Sequence, residues 1–274
     1  MAKTPRRTGS KPSTRRPAKG ARSKASRSRA RKTSPTEAGP DATDEAARPP
    51  TRGERRRLAL LDGGVEIVAR EGLSGLSVEA LASAGGISNG ALYRHFGSMD
   101  DALGALQVHA LERVTGAMER SLWSLRQSLA AGRASKRTKA LVELLATVEM
   151  ILTLQVQDPG AIILLRSMAG DPGRRIGDEE LSQSLPSATR LLGMIGGLFL
   201  NAADAGALKS GDDSARSAIW LSSLLGLLQL AKLEAFELGL DVDGLARDHA
   251  ATLLIGYGAS ASSVATARRT LDDA

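Results

Sequence analysis

Residues 77–96 read SVEALASAGGISNGALYRHF, and their spacing predicts two short helices joined by a tight turn. Ser77 is an N-cap for the first helix, in which Val78, Leu81 and Ala82 point inward. Gly85-Gly86-Ile87 breaks that helix, with Gly86 supplying the turn. Ser88 caps a following helix that runs to about His95, with Leu92 and Phe96 as its buried anchors. Ala82 is small enough to keep the two helices close, and Leu81, Ile87 and Leu92 fill the wedge between them. The second helix presents a small polar face, Ser88, Asn89, Gly90 and Ala91, followed by Tyr93, Arg94 and His95. Small side chains let a helix backbone settle into a DNA major groove. Asn89 can both donate to and accept from a base edge, and Tyr93 and His95 can reach phosphate oxygens. Each has a plainer role beside that one: a helix-start residue for Asn89, packing for Tyr93, a solvated side chain for Arg94, and a structural or surface histidine for His95.

Upstream, Leu58, Leu61, Val65 and Val68 recur at three- and four-residue intervals, predicting a helix with one apolar face that Glu71-Gly72 closes. Downstream, Ser98 starts a fourth helix, with Asp100 and Asp101 at its positive end. The remaining pattern is helical too: Arg137–Gln157, Pro159–Ala169, Pro186 to about Ala205, Asp212–Leu238, and Val242 to about Tyr257. Pro159 and Pro186 are expected at helix starts. The last dozen residues are small and polar and are expected to fray. No alternating strand and no internal repeat is visible, so the fold class is all-α. The expected division is a disordered basic arm over 1–50, a helix-turn-helix segment over 51–98, a helical body over 99–260, and a flexible tail over 261–274.

The net charge of +7 hides two opposite regions. Residues 1–36 carry 13 Lys or Arg and no acid, whereas the rest holds 24 bases against 30 acids. The arm has almost no large apolar residue, so burial cannot offset the entropy of ordering it. It is either a solvated tail or a device that grips phosphates without choosing sequence.

Composition excludes several classes. With no cysteine there is no disulfide or thiolate metal site. His95, His109 and His249 are too scattered for a metal cluster. No phosphate-binding glycine loop or nucleophile–base pairing is present, so neither an enzyme nor a cofactor is expected. No run approaches the roughly 20 continuous apolar residues of a membrane helix, and the basic start lacks the apolar segment of a secretory signal. A soluble cytoplasmic protein without a membrane partner is the expectation.

The stretches RRLALLDGGVEIVAREG (56–72) and AGGISNGALYRHF (84–96), with the connecting helix after them, resemble the TetR family of bacterial transcriptional regulators. ADAGALKSGDDSARSAIW (203–220) followed by GLLQLA is similar to that family's entry into its dimerisation helices, placed at about 213–238 and 243–257. The resemblance implies a three-helix helix-turn-helix DNA-binding head over 51–98 and a helical-bundle ligand-binding and dimerisation domain over 99–260, in a homodimer that represses transcription from a quasi-palindromic double-stranded operator and is released by a small molecule. It assigns DNA contact to Ser88, Asn89, Gly90, Ala91, Tyr93, Arg94 and His95. The chain departs from the family at Gly63-Gly64, where Ala-Ala is common, at Val68, where Phe is common, and at Met99, where a phosphate-binding lysine often stands. Two helix-interior glycines, each costing about 1 kcal/mol against alanine, imply a weakened first helix, and the basic arm is placed to replace the missing lysine. Apolar segments around Leu141–Leu154, Ile162–Met168 and Leu191–Phe199 either enclose a cavity for an apolar effector or form solid core. Trp123 and Trp220 are expected in the core or an interface. The rival function is a non-specific chromosome-structuring protein acting through the arm.

Overall fold

The computed structural model describes residue 49 and residues 51–168, 178–231 and 239–274. The basic arm, the last part of the helix expected to reach Leu238, and Ala169 at the end of another expected helix lie outside them.

Helix α1 (Arg52–Glu71) begins at Thr51, whose hydroxyl accepts from the Glu54 N–H while the Glu54 carboxylate accepts from the Thr51 N–H. That reciprocal pair satisfies two backbone donors that would otherwise lack partners. The helix ends where Gly72 turns with φ 71°. Its buried face is Leu60, Leu61, Gly64, Val65, Ile67 and Val68, whereas Leu58 is 43% exposed. The apolar stripe expected through Leu58 is therefore broader and rotated, because α1 is packed by several helices at once.

After a 3-10 turn at Leu73–Gly75, α2 (Val78–Ala84) is capped by Ser77 and α3 (Asn89–His95) by Ser88. Gly86 between them has φ 60°, a conformation costly for any residue with a Cβ. Leu81, Ala82, Leu92 and Phe96 are buried as expected, and Ile87 is half-buried. Ser98 caps α4 (Met99–Ala131), with Asp100 and Asp101 in its first turn. At 33 residues α4 is about 50 Å long.

Gly64 faces both α2 and α4. A Cβ there would lie 2.6 Å from Leu106 Cδ2 and 2.9 Å from Leu81 Cδ2. The glycine that lowers helix propensity is what allows α2 and α4 to close on α1.

Helices α5 (Lys136–Gln157) and α6 (Pro159–Met168) follow, Pro159 opening its helix as expected. Leu141, Val142, Leu144, Ile151, Ile162 and Leu164 are fully enclosed, so most of these segments are solid core. Helix α5 is long and apolar enough to cross a membrane, but 56% of its apolar window is buried against the protein, as in a core helix.

Helix α7 (Asp178–Asp204) corrects the expectation for Pro186, which sits inside the helix rather than at its start. An interior proline contributes no N–H to the ladder and costs about 3 kcal/mol or more. The burial of Leu191, Ile195, Leu198 and Phe199 further along the same helix works against that cost. Helix α8 (Asp213–Leu227) is capped by Asp212 and passes into a 3-10 turn at Leu228–Leu230 instead of continuing as α-helix. Helix α9 (Val242–Gly256) is capped by Asp241.

Residues expected as a fraying tail form helix α10 (Ala261–Asp272), capped by Ser260. It packs on α5. Val264 and Ala267 are buried, and Arg268 donates to Asp248 on α9. Its small side chains permit close docking, and one apolar stripe is enough to hold it. Among the described residues no strand is present.

An aromatic cluster joins the body. Phe199 meets Trp220 edge-on at 5.5 Å and Tyr257 at 5.7 Å, and Trp220 Nε1 donates to Thr147 Oγ1 at 2.9 Å. Trp220 is thus core, whereas Trp123 is 66% exposed on α4 and belongs to no core.

Candidate nucleic-acid interface

Helix α3 has two inward anchors, Leu92 and Phe96, and everything else follows from their placement. With 92 and 96 turned into the head, Asn89, Gly90, Tyr93 and Arg94 are exposed, and Ala91 and His95 lie half-buried at the flanks. Asn89 and Tyr93 are four residues apart and so share one edge of the helix, as Gly90 and Arg94 share the next. Tyr93 is 51% exposed, an unusual position for an aromatic side chain that packing alone would place inside.

The seven residues singled out in the sequence divide by what their side chains already do. Ser88 Oγ accepts from the Ala91 N–H, so its hydroxyl is engaged in capping. Arg94 folds back to donate to the Gly90 carbonyl at 3.2 Å. Asn89 and Tyr93 present their polar ends outward. The His95 ring lies 6.4 Å from that of Phe96, at the edge of the head's core. Gly90 would meet nothing within 4 Å if it carried a Cβ, so the fold itself does not require its smallness.

Arg57 is not among the residues assigned a role from sequence. Its Nη1 donates to the His95 carbonyl at 2.7 Å and its guanidinium stacks 4.5 Å from the Phe96 centroid. It therefore occupies an orphan carbonyl in the last turn of α3, where a positive charge also suits the helix dipole.

A second polar cluster ties the head to the body. Asp62 on α1 accepts from Arg113 Nη1 at 2.9 Å and from His109 Nε2 at 2.8 Å, both on α4. The same Arg113 donates through Nε to Asp158 at 2.7 Å. Asp158 stands at the start of α6, and Gly160 beside it rests against the Val65 backbone of α1. Separate exposed ion pairs are worth about 0–1 kcal/mol each, but Arg113 here joins Asp62 on α1 to Asp158, the residue between α5 and α6. His109, given no role from sequence, is part of this junction.

Among the described residues no group of three or more potential ligands is placed to hold a metal.

Residues 60–106 match the family described as "Bacterial regulatory proteins, tetR family". The solved structures that resemble the chain share its fold at low identity. One is a protein with unknown function from Rhodococcus sp. RHA1, at TM-score 0.54 and 20% identity over 74% of this chain and 94% of its own. A candidate TetR-family transcriptional regulator from Mesorhizobium loti MAFF303099 aligns at TM-score 0.53 and 18% identity, over 76% and 100%. The transcriptional regulator FadR from Bacillus subtilis, solved in complex with stearoyl-CoA, aligns at TM-score 0.51 and 18% identity, over 72% and 97%. No curated protein matches the chain.

Proposed function

We propose that this chain, whose residues 60–106 are those of the tetR family of bacterial regulatory proteins, is a dimeric repressor that a small apolar molecule releases from a quasi-palindromic operator. The observation that carries this is the outward edge of α3. Asn89 and Tyr93 stand exposed on a helix held rigidly by Leu92, Phe96 and Arg57, with Gly90 leaving room for close approach. In this reading Asn89 reads a base edge. Tyr93, His95 and Arg94 hold phosphates, and Ser88, Gly90 and Ala91 let the helix start sit deep in the groove.

Dimerisation is supported by exposed apolar side chains on the two helices expected to pair, Ile219 on α8 and Leu245 and Ile255 on α9. Two heads joined by a symmetric interface read two half-sites, which is why the operator is an inverted repeat. Effector release is supported by the junction at Asp62, Arg113 and Asp158. A ligand that favours one setting of α6 favours one setting of α1, and so one spacing of the heads. The stearoyl-CoA held by the Bacillus subtilis FadR structure is a precedent for an apolar effector on this fold.

The test is selection of genomic fragments by the purified full chain, followed by salt titrations on the best fragment and on random DNA. The expected result is a short inverted repeat bound on the order of 10³-fold or more above random DNA. Equal affinity for all fragments overturns the reading and favours a chromosome-structuring protein. That second reading draws on the 13 bases and no acid of residues 1–36. Removing residues 1–50 separates the two contributions. An arm that grips phosphate flattens the salt dependence when it is lost, and an unchanged slope leaves it a solvated tail.

A further inference from the structure

Three consecutive residues of α9 tie it to three different helices. Arg247 donates through Nε and Nη2 to the two carboxylate oxygens of Glu149 on α5, at 2.8 Å each. His249 Nε2 lies 2.8 Å from Ser223 Oγ on α8. Between them, Asp248 Oδ1 accepts from both terminal nitrogens of Arg268 on α10, at 3.2 Å each. Successive helix residues are turned about 100° from one another, so the three ties act in different directions. Arg247 and His249 stand at the two flanks of the buried face formed by Val242, Ala246, Ala250 and Leu254. Together with that face they hold α9 in place.

Asp248 points away from the core. It is exposed, three residues from Leu245 and four from Thr252, and so shares one outward stripe with them and with Ile255. Of the α9 positions 245, 248, 252 and 255, only 248 carries a charge. On α8, Ala218, Ile219 and Ser222 expose an uncharged stripe. As an anchor for α10 the Asp248–Arg268 pair adds little, because its acid is 76% and its base 35% exposed. Val264 and Ala267 already seat that helix. What the pair changes is the charge of the stripe.

A symmetric interface sets a patch against its own copy. An unpaired Asp248 would carry two carboxylates into one buried layer, where each loses its water and meets a like charge. With Arg268 against it, the stripe is neutral and fits a second copy of this chain. We infer that Arg268, carried by the C-terminal helix α10, is a positioning residue for self-association: it neutralises Asp248 and so permits the α8–α9 face to pair with its copy. This rests on the reading of the chain as a dimer joined through those two helices, to which it adds a dependence on α10. Two joined heads are what an inverted repeat requires, so binding to such a site also depends on this last helix.

The experiment measures the dimer dissociation constant of the full chain by sedimentation over a dilution series. Arg268→Gln is expected to raise it about 30-fold or more, as removing one partner of a charge pair in an interface does. Adding Asp248→Asn takes away the stranded charge and is expected to bring the constant back to within about threefold of the parent, since replacing both partners of a buried pair is often neutral. That suppression separates neutralisation from anchoring. If Arg268 only seats α10, the double variant lacks the same tie and associates as weakly as the single one. Ile255→Glu is expected to dissociate the dimer and reports on the face itself. A dimer that Ile255→Glu weakens and Arg268→Gln does not overturns the inference and keeps the face. Equal weakening by Arg268→Gln with and without Asp248→Asn also overturns it. A dimer indifferent to Ile255→Glu, or a chain monomeric at every concentration, overturns the reading of the pairing helices and the inference with it.

Discussion

Arg57 donates to the His95 carbonyl at 2.7 Å and covers the Phe96 ring at 4.5 Å, so one side chain from α1 closes the end of α3. Helix α3 has seven residues, too few to be stable alone. Its outward face is reliable only because its inward face and its last carbonyls are held. Arg57→Met retains the aliphatic stem and loses both polar contacts. It should cost about 1–2 kcal/mol, from a charged hydrogen bond and a cation–π contact that are partly exposed, and lower affinity for every DNA. Urea unfolding and a DNA titration check this, and a variant as stable as the parent would show that Arg57 only decorates the surface.

Gly64→Ala and Gly193→Ala should have opposite signs. Alanine improves helix propensity by about 1 kcal/mol at either position. At 64 the new Cβ would press on Leu106 and Leu81, whereas at 193 it meets nothing within 4 Å. Overpacking costs about 1–3 kcal/mol, so Gly64→Ala is expected to destabilise and Gly193→Ala to stabilise. Chemical denaturation of the two variants side by side decides it, and a gain at Gly64 would mean the α1–α2–α4 junction is looser than described.

On the proposed reading of α3, Asn89→Ala and Tyr93→Phe separate base reading from phosphate holding. Removing a phosphate contact at Tyr93 weakens specific and random DNA alike, whereas removing a base contact at Asn89 costs about 1–3 kcal/mol on the best site and little on random sequence. The readout is the ratio of the two affinities. If Tyr93→Phe changes that ratio while Asn89→Ala does not, the roles are reversed.

Ending the chain at Ala259 should destabilise it. Helix α10 buries Val264 and Ala267 and ties Arg268 to Asp248, and its Leu271 lines clefts that it forms with α5. Losing a buried valine and a half-buried leucine is worth about 2–4 kcal/mol. A thermal midpoint unchanged by the truncation would return these residues to the status of a tail.

The head was legible because its signals are local. Ser77, Ser88 and Ser98 each cap within three residues of themselves, Gly86 shapes a turn by its own φ, and Leu92 and Phe96 lie one helical turn apart. Such relations depend on neighbours in the chain, and residue types alone reveal them. The same holds for α5 and α9, whose starts and ends fall within a residue or two of the expected positions, and for the start of α6 at Pro159.

What periodicity could not supply was which of several sides of a helix is covered, and by what. Leu58 and Leu61 look alike in sequence, yet one is exposed because the helices around α1 converge elsewhere. Pro186 reads as a boundary but is carried through a helix anchored further along. A polar tail becomes α10 once α5 offers it an apolar face. The long polar side chains were least legible of all: Arg57 stands in a run of three arginines, and Asp62 and Arg113 are 51 residues apart. Their partners are set by packing between helices remote in sequence, which only the folded chain brings within hydrogen-bonding distance.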